Sequence, residues 1–213
     1  MKFNSFAISF LLSGLALGQW ACNTDDTPAV VPVVAQTVRN LPADPTTGVN
    51  PTTGQPLGTT GRFTLYNLRD NKTVANTDSA TNKWDVGFRG TTIIVNGGAI
   101  RSGQGGAYVH TGTFEEFTTV PTSATFGQDQ SATSLAIVAA SGRGWYNYNA
   151  PANLITPIPG RVLVIRTGDG KFAKMEILSY YENAPTTVDP NRDRQRFYTF
   201  RYVYQPDGSM KLN

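Results

Sequence analysis

The chain has 213 residues, enough for one domain with a real core plus a short tail. A single cysteine, Cys22, excludes an internal disulfide and any multi-cysteine metal cluster, and a single histidine, His110, excludes every motif that needs two. Charged residues are only 15%, against a usual ~25%, and 21 Gly and 13 Pro point to a turn-rich β protein outside the cytoplasm rather than a helical bundle. The net charge is +3, with Lys2 the leader's one charge, and the basic residues are scattered. Their densest run, Arg192, Arg194 and Arg196, is interrupted by Asp193 and reads as a solvated loop, so no nucleic-acid partner is expected.

Residues 1–21 read as a signal peptide: Lys2, an apolar stretch from Phe6 to Leu17, then small residues. The apolar stretch is too short to span a membrane. Two processing sites compete. Ala16 and Gly18 satisfy a small-x-small rule and would release a secreted or periplasmic protein from Gln19. Cleavage before Cys22, behind Ala21, would instead leave an acylated cysteine, although Gln19 and Trp20 depart from a Leu-rich lipobox. An accidental thiol is the plain alternative, but an unpaired cysteine invites oxidation in an exported chain. Directly after the apolar stretch is where a lipidated cysteine sits. Cys22 is therefore read as the lipid anchor, and Asn23–Asp26 resembles the acidic surface-export signal of some Bacteroidetes lipoproteins. Residues 22–34 form the anchor and its tether, extended by Pro28 and Pro32, and 35–213 form the β domain. No second segment is expected to cross the membrane.

A first strand is predicted from Ala35 to Leu41. The near-copies Asp44-Pro45-Thr46-Thr47-Gly48 and Asn50-Pro51-Thr52-Thr53-Gly54 are turn chemistry and predict a long loop. Strands follow through Phe63–Leu68, Trp84–Phe88 and Thr91–Val95, closed by Asn96-Gly97-Gly98. Thr113 and Glu116 form a capping box, with Phe114 and Phe117 three apart, and predict one short helix over Thr113–Val120, stopped by Pro121. Leu135–Ala140 reads as an apolar strand. Arg161–Thr167 and Lys171–Tyr181 flank Gly168-Asp169-Gly170, and Arg196–Tyr204 and Ser209–Leu212 flank Gln205-Pro206-Asp207-Gly208; both read as hairpins. The fold class is all-β: antiparallel curved sheets or a sandwich with one short helix. Its expected core is Trp84, Phe88, Ile93, Val95, Val162, Val164, Met175 and Ile177.

Several strings, in one order from Arg62 to Asn213, resemble the HmuY family of Bacteroidetes haem-binding lipoproteins. They are Lys83-Trp84-Asp85-Val86-Gly87-Phe88 running on to Asn96-Gly97-Gly98, Gly144-Trp145-Tyr146-Asn147-Tyr148, Pro157-Ile158-Pro159-Gly160-Arg161 and Ile165-Arg166-Thr167-Gly168-Asp169-Gly170-Lys171. Lys174-Met175-Glu176-Ile177 and Ser179-Tyr180-Tyr181 complete them. The resemblance implies a haemophore-like lipoprotein of the outer membrane and cell surface, which captures haem or a related porphyrin and passes it to a TonB-dependent receptor. In characterised relatives two histidines or two methionines from loops hold the iron.

This chain departs from that pattern, because His110 has no second histidine beside it and Met175 and Met210 read as strand residues in the core. The resemblance leaves His110 as the candidate iron donor and places a pocket among the loops Ile100–His110 and Tyr146–Ile155. Tyr146 and Tyr148 are candidate walls or a phenolate ligand, and Arg101 a candidate propionate partner. An ordinary hydrogen-bonded His110, structural aromatics and a solvated Arg101 are the plain alternatives. The alternative function is a HmuY-fold surface module without haem, acting in adhesion, scaffolding or the binding of another ligand. Nothing favours an enzyme. Asp85, Glu115, Glu116 and Asp129 are not spaced as an acid–base pair, no G-x-S-x-G occurs, and Gly103-Gln104-Gly105-Gly106 lacks the Lys-Ser/Thr of a phosphate loop.

Overall fold

The computed structural model describes residues 33–53 and 56–213; the leader, Cys22 and the tether through Pro32 lie outside the described residues. The strands are, in chain order, β1 (Gln36–Pro42), β2 (Gly48–Val49), β3 (Pro56–Leu57), β4 (Thr64–Asn67), β5 (Lys72–Val74), β6 (Val86–Arg89) and β7 (Thr92–Val95). They continue with β8 (Gly106–Thr111), β9 (Tyr146–Asn149), β10 (Leu154–Pro157), β11 (Arg161–Arg166), β12 (Phe172–Tyr181) and β13 (Gln195–Gln205). A five-stranded sheet, in the order β1-β13-β12-β11-β8, faces a four-stranded sheet in the order β5-β4-β6-β7. Every pairing among the named strands is antiparallel.

The apolar alternation explains why the layers meet. Leu163 and Ile165 of β11, Met175 and Ile177 of β12, and Phe200 and Tyr202 of β13 pack against Tyr66, Val86, Phe88 and Val95 from the smaller sheet. Phe88 stacks on Phe200 at 5.4 Å between ring centroids and meets Tyr198 at 4.9 Å. The other face of the large sheet is also covered. Val162, Val164 and Val203 pack there against Phe114, Phe117, Val120 and Leu212. The unbroken run Val162-Leu163-Val164-Ile165 is therefore apolar on both sides, as a strand buried on two faces requires. All eight expected core residues are buried, but in three clusters rather than one, with Trp84 in a small group beside Leu65 and Ile94.

The Gly168-Asp169-Gly170 hairpin forms, pairing Arg166 with Phe172, and β1 begins within one residue of its expected position. Four other expectations are corrected. The helix over Thr113–Val120 is a single turn. One arm of its capping box forms, Glu116 N–H donating to Thr113 Oγ1 (3.2 Å), while the Thr113 hydroxyl rather than its N–H donates to Glu116 Oε2 (2.6 Å). Propagation fails because Pro121 offers no N–H to the Phe117 carbonyl, and the buried Lys174 ammonium takes that carbonyl (2.8 Å) and that of Phe114 (2.7 Å). The one helical element among the described residues is a 3-10 turn at Asn76–Asp78.

Leu135–Ala140 is not a strand. The Asp129 carboxylate takes the N–H of Ala136 (3.0 Å), and the Ala140 carbonyl accepts from Arg143 and Gly144 (each 3.2 Å), so no ladder can run through the segment. Ser209–Leu212 does not return along β13 either. It pairs with the extended segment after the single turn, through Val120 N–H to Met210 O (2.9 Å) and Leu212 N–H to Thr118 O (2.7 Å). The Asx-Pro loop is partly a ribbon, since β2 pairs with β3. Asp44 closes it by accepting from Thr60 N–H (2.7 Å) and Gly61 N–H (2.9 Å), while Asn50 turns the chain through the N–H groups of Thr52 and Thr53.

Candidate functional site

His110 sits in β8 opposite Val162, so register alone turns it to the face that carries Val162 and Val164. Its ring lies 4.6 Å from that of Phe117, and Tyr108, two residues earlier on the same face, meets Phe126 at 5.3 Å. The imidazole is half-buried and makes no hydrogen bond to the described residues; its Nε2 lies over Gly112, where a Cβ would come within 2.6 Å. Glycine at this position leaves the nitrogen room.

Tyr146 belongs to the opposite face. It starts β9, is 7% exposed, and packs with Trp145 (5.0 Å) in the core between the sheets, where Trp145 Nε1 donates to Thr91 O (2.9 Å). Tyr148 is exposed on the β9–β10 hairpin, its hydroxyl against Asn153 Oδ1 (3.3 Å) and its N–H donating to Ser141 Oγ (2.8 Å). Arg101 is committed inward: its Nε is buried 3.7 Å from Asp129 Oδ2, and its Nη1 donates to Ile100 O (3.2 Å). The five-stranded sheet separates His110 from Tyr146, and none of five principal cavities among the described residues is lined by His110, Tyr146 or Tyr148.

The other potential donors do not complete a pair with His110. Met175 is fully buried between the sheets, and Met210 packs against the second cluster. Among the described residues, no group of three or more His, Cys, Asp or Glu could hold a metal ion. The donor set does not fit a haem held between two axial side chains.

The carboxylates set aside in the sequence have structural tasks. Asp129 is fully buried and pins three segments at once, accepting from Val95 N–H (3.2 Å) and Ala136 N–H (3.0 Å) beside Arg101. Burial pushes its carboxyl up from the usual range, against those two N–H groups and Arg101, which pull it down. Asp85 does the same between Leu68 N–H (2.7 Å) and Gly168 N–H (2.9 Å), and burial raises it too. Glu115 and Glu176 share Arg201, at 2.5 and 2.6 Å.

A cavity of about 450 Å³ beside β5 is charged but largely self-neutralised: Lys72 pairs with Asp70 and Lys83 with Asp78 (each 3.0 Å), and Arg69 pairs with Asp169. Two further cavities flank residues 132–143, which include Leu135–Ala140, the segment read from sequence as a strand. Its apolar run was a visible signal. Its exposure was not, because an apolar stretch is ambiguous until its neighbours are known.

The described residues thus form a two-layer antiparallel β domain with surface grooves. The family described as HmuY protein matches residues 60–202 of the chain, about two thirds of its length. The chain belongs to the HmuY family. Among solved structures it is similar to a candidate lipoprotein of Bacteroides fragilis NCTC 9343, at 17% identity and a TM-score of 0.47, covering 81% of this chain and 91% of that one. It is also similar to a candidate HmuY-like haem-binding protein of Bacteroides vulgatus ATCC 8482, at 14% identity and TM-score 0.46, covering 81% and 91%. The apo HmuY analogue of Tannerella forsythia aligns at 15% identity and TM-score 0.46, covering 84% and 99%. No curated protein is significantly similar in sequence.

Proposed function

We propose that this protein is a lipid-anchored surface member of the HmuY family that captures haem or a related porphyrin and hands it to an outer-membrane receptor. Family membership over residues 60–202 carries the reading, and the leader, with Cys22 directly behind its apolar stretch, supports the anchor. His110 is the single imidazole available to iron, unbonded and beside the space that Gly112 leaves. Tyr148 is the exposed aromatic candidate, and Tyr146 does not share a face with His110. A propionate at Arg101 would compete with Asp129 and the Ile100 carbonyl, which its Nε and Nη1 already face.

The missing donor pair favours a second reading, a HmuY-fold surface module that works without haem iron. Hemin titration separates the two. The first expects a saturable Soret change that His110→Ala reduces or abolishes; no saturable change under oxidising or reducing conditions leaves the second. For the anchor, Cys22→Ala is expected to move the protein out of the membrane fraction and to abolish palmitate incorporation. Absence of palmitate from the wild-type chain would refute lipidation and favour cleavage after Gly18.

A further inference from the structure

Asp129 decides which way its two neighbours point. Gly127 is bridged to Ala107, and Asp129 N–H donates to Gly97 O (2.9 Å), so the chain runs extended here. The Asp129 carboxylate is buried on the N–H groups of Val95 and Ala136. Side chains alternate along an extended chain, so Gln128 and Gln130 turn the other way. Both line a cavity of about 480 Å³, within the usual size for small-molecule sites, and Gln104 and Arg166 line it with them.

The other two polar residues are also fixed by backbone contacts. Gln104 is bridged to Gly97, and its N–H donates to Gly168 O (2.9 Å). Arg166 Nε donates to Gln104 O (2.8 Å), and its guanidinium lies over the Phe126 ring at 5.5 Å. The floor is bare backbone. A Cβ on Gly98 would lie 2.2 Å from the Asp129 carbonyl oxygen, and one on Gly103 would lie 2.5 Å from that of Asn96.

Most of the hydrogen-bonding capacity gathered here is unspent. Among the described residues the side-chain amides of Gln104 and Gln130 make no hydrogen bond, and Gln128 uses only Nε2, donating to Gly105 O (2.9 Å). Arg166 has no carboxylate within ion-pairing distance, and none lines the cavity. Ala99 is the one apolar side chain of the lining, and no His, Cys or Met joins it. An apolar body or a soft metal would find nothing to hold it. Each amide instead presents two N–H donors beside an acceptor oxygen. Adjacent hydroxyls of a sugar ring, which both donate and accept, match that pairing. The free guanidinium matches a carboxylate in charge and in planar geometry.

We propose that this cavity binds an acidic saccharide, a uronate whose carboxylate meets Arg166 and whose ring hydroxyls meet Gln104, Gln128 and Gln130. The inference goes beyond the proposed function and is independent of it, since none of these residues lies among the candidates for haem and His110 does not line the cavity.

The test titrates the full chain with trigalacturonate by calorimetry, beside its methyl ester and citrate. Saturable binding of the acid is expected, weakened about tenfold by Arg166→Gln, the scale of a lost charge-assisted hydrogen bond. Gln130→Ala and Gln104→Ala should each weaken it about threefold, the scale of a neutral one. Both glutamines spend no side-chain hydrogen bond on the fold, so these variants keep the test decisive if Arg166→Gln proves unstable in a thermal melt. The ester should bind more weakly, keep its dependence on the glutamines and ignore Arg166→Gln. No saturable heat from the acid at millimolar concentration overturns the proposal, as does an affinity that all three variants leave unchanged. An ester that binds as tightly as the acid overturns the carboxylate assignment. Citrate that binds as tightly, through Arg166 and without the glutamines, overturns the saccharide assignment. His110→Ala should leave uronate binding intact, and a loss there would overturn the placement of the site.

Discussion

Lys174→Met tests the account of why the predicted helix stops after one turn. Lys174 rises from β12 on the face opposite Met175, is 3% exposed, and donates at 2.7 and 2.8 Å to the carbonyls of Phe114 and Phe117. Its ammonium also lies 4.5 Å from the centre of the Phe114 ring. Methionine keeps most of the stem's packing and removes both hydrogen bonds, leaving two carbonyls at the turn unsatisfied. Hydrogen bonds to a charged donor are worth roughly 1.5–3 kcal/mol each. Removing the ammonium also relieves the burial that lowers its proton affinity, so part of that loss is recovered. The net expectation is a destabilisation of about 2–4 kcal/mol. With a urea m-value near 2 kcal/mol/M, the midpoint should fall by about 1–2 M at unchanged slope. Hydrogen exchange supplies the local signature: the amides of Phe117, Val120 and Leu212, which hang on the turn and the tail docked to it, should lose protection before those of β11. A midpoint within about 0.2 M of wild type would mean that the buried ammonium does not cap this turn, and the reasoning would fail.

Alkaline titration probes the aromatic core. Burial pushes the Tyr66 phenol up to about 12 and raises those of Tyr180, Tyr198 and Tyr202 as well. The unfolded chain releases these protons near 10, so stability is intact below that pH and falls as pH climbs through the folded values. Phenolate absorbance should therefore show a cooperative late phase coincident with loss of the β signal; smooth ionisation of all nine tyrosines near pH 10 in a folded chain would contradict it. Gly97→Ala should cost more than about 4 kcal/mol or prevent folding, because its Cβ would lie 1.9 Å from the Gly105 carbonyl oxygen in a backbone–backbone contact. Gly48→Ala, with nothing within 4 Å of the added carbon and no positive φ, should stay within about 0.5 kcal/mol, as thermal melts of the pair would show.

The parts of the fold legible in the sequence were those whose determinants lie close together along the chain. The Gly168-Asp169-Gly170 turn and the Thr113 cap on the Glu116 N–H each need only a few neighbouring residues, and each formed. The apolar character of the eight core residues was legible for the same reason: burial of such side chains is favourable wherever they end up. The partners lay beyond that reach. Whether Phe117's carbonyl would meet a water or Lys174, 57 residues away, is decided by sheet register, and so is the end of the helix. Asp129 turned an apolar run into an irregular wall by taking one amide from it and one from β7. His110 lies on β8 of the five-stranded sheet, whereas Tyr146 starts the separate β9–β10 ribbon and packs into the cluster on that sheet's other face, although both were drawn from the same resemblance. Likewise, only the folded chain brings Gln104, Gln128, Gln130 and Arg166 to one cavity without a carboxylate, since charge pairing depends on distances in space that spacing along a β chain does not encode.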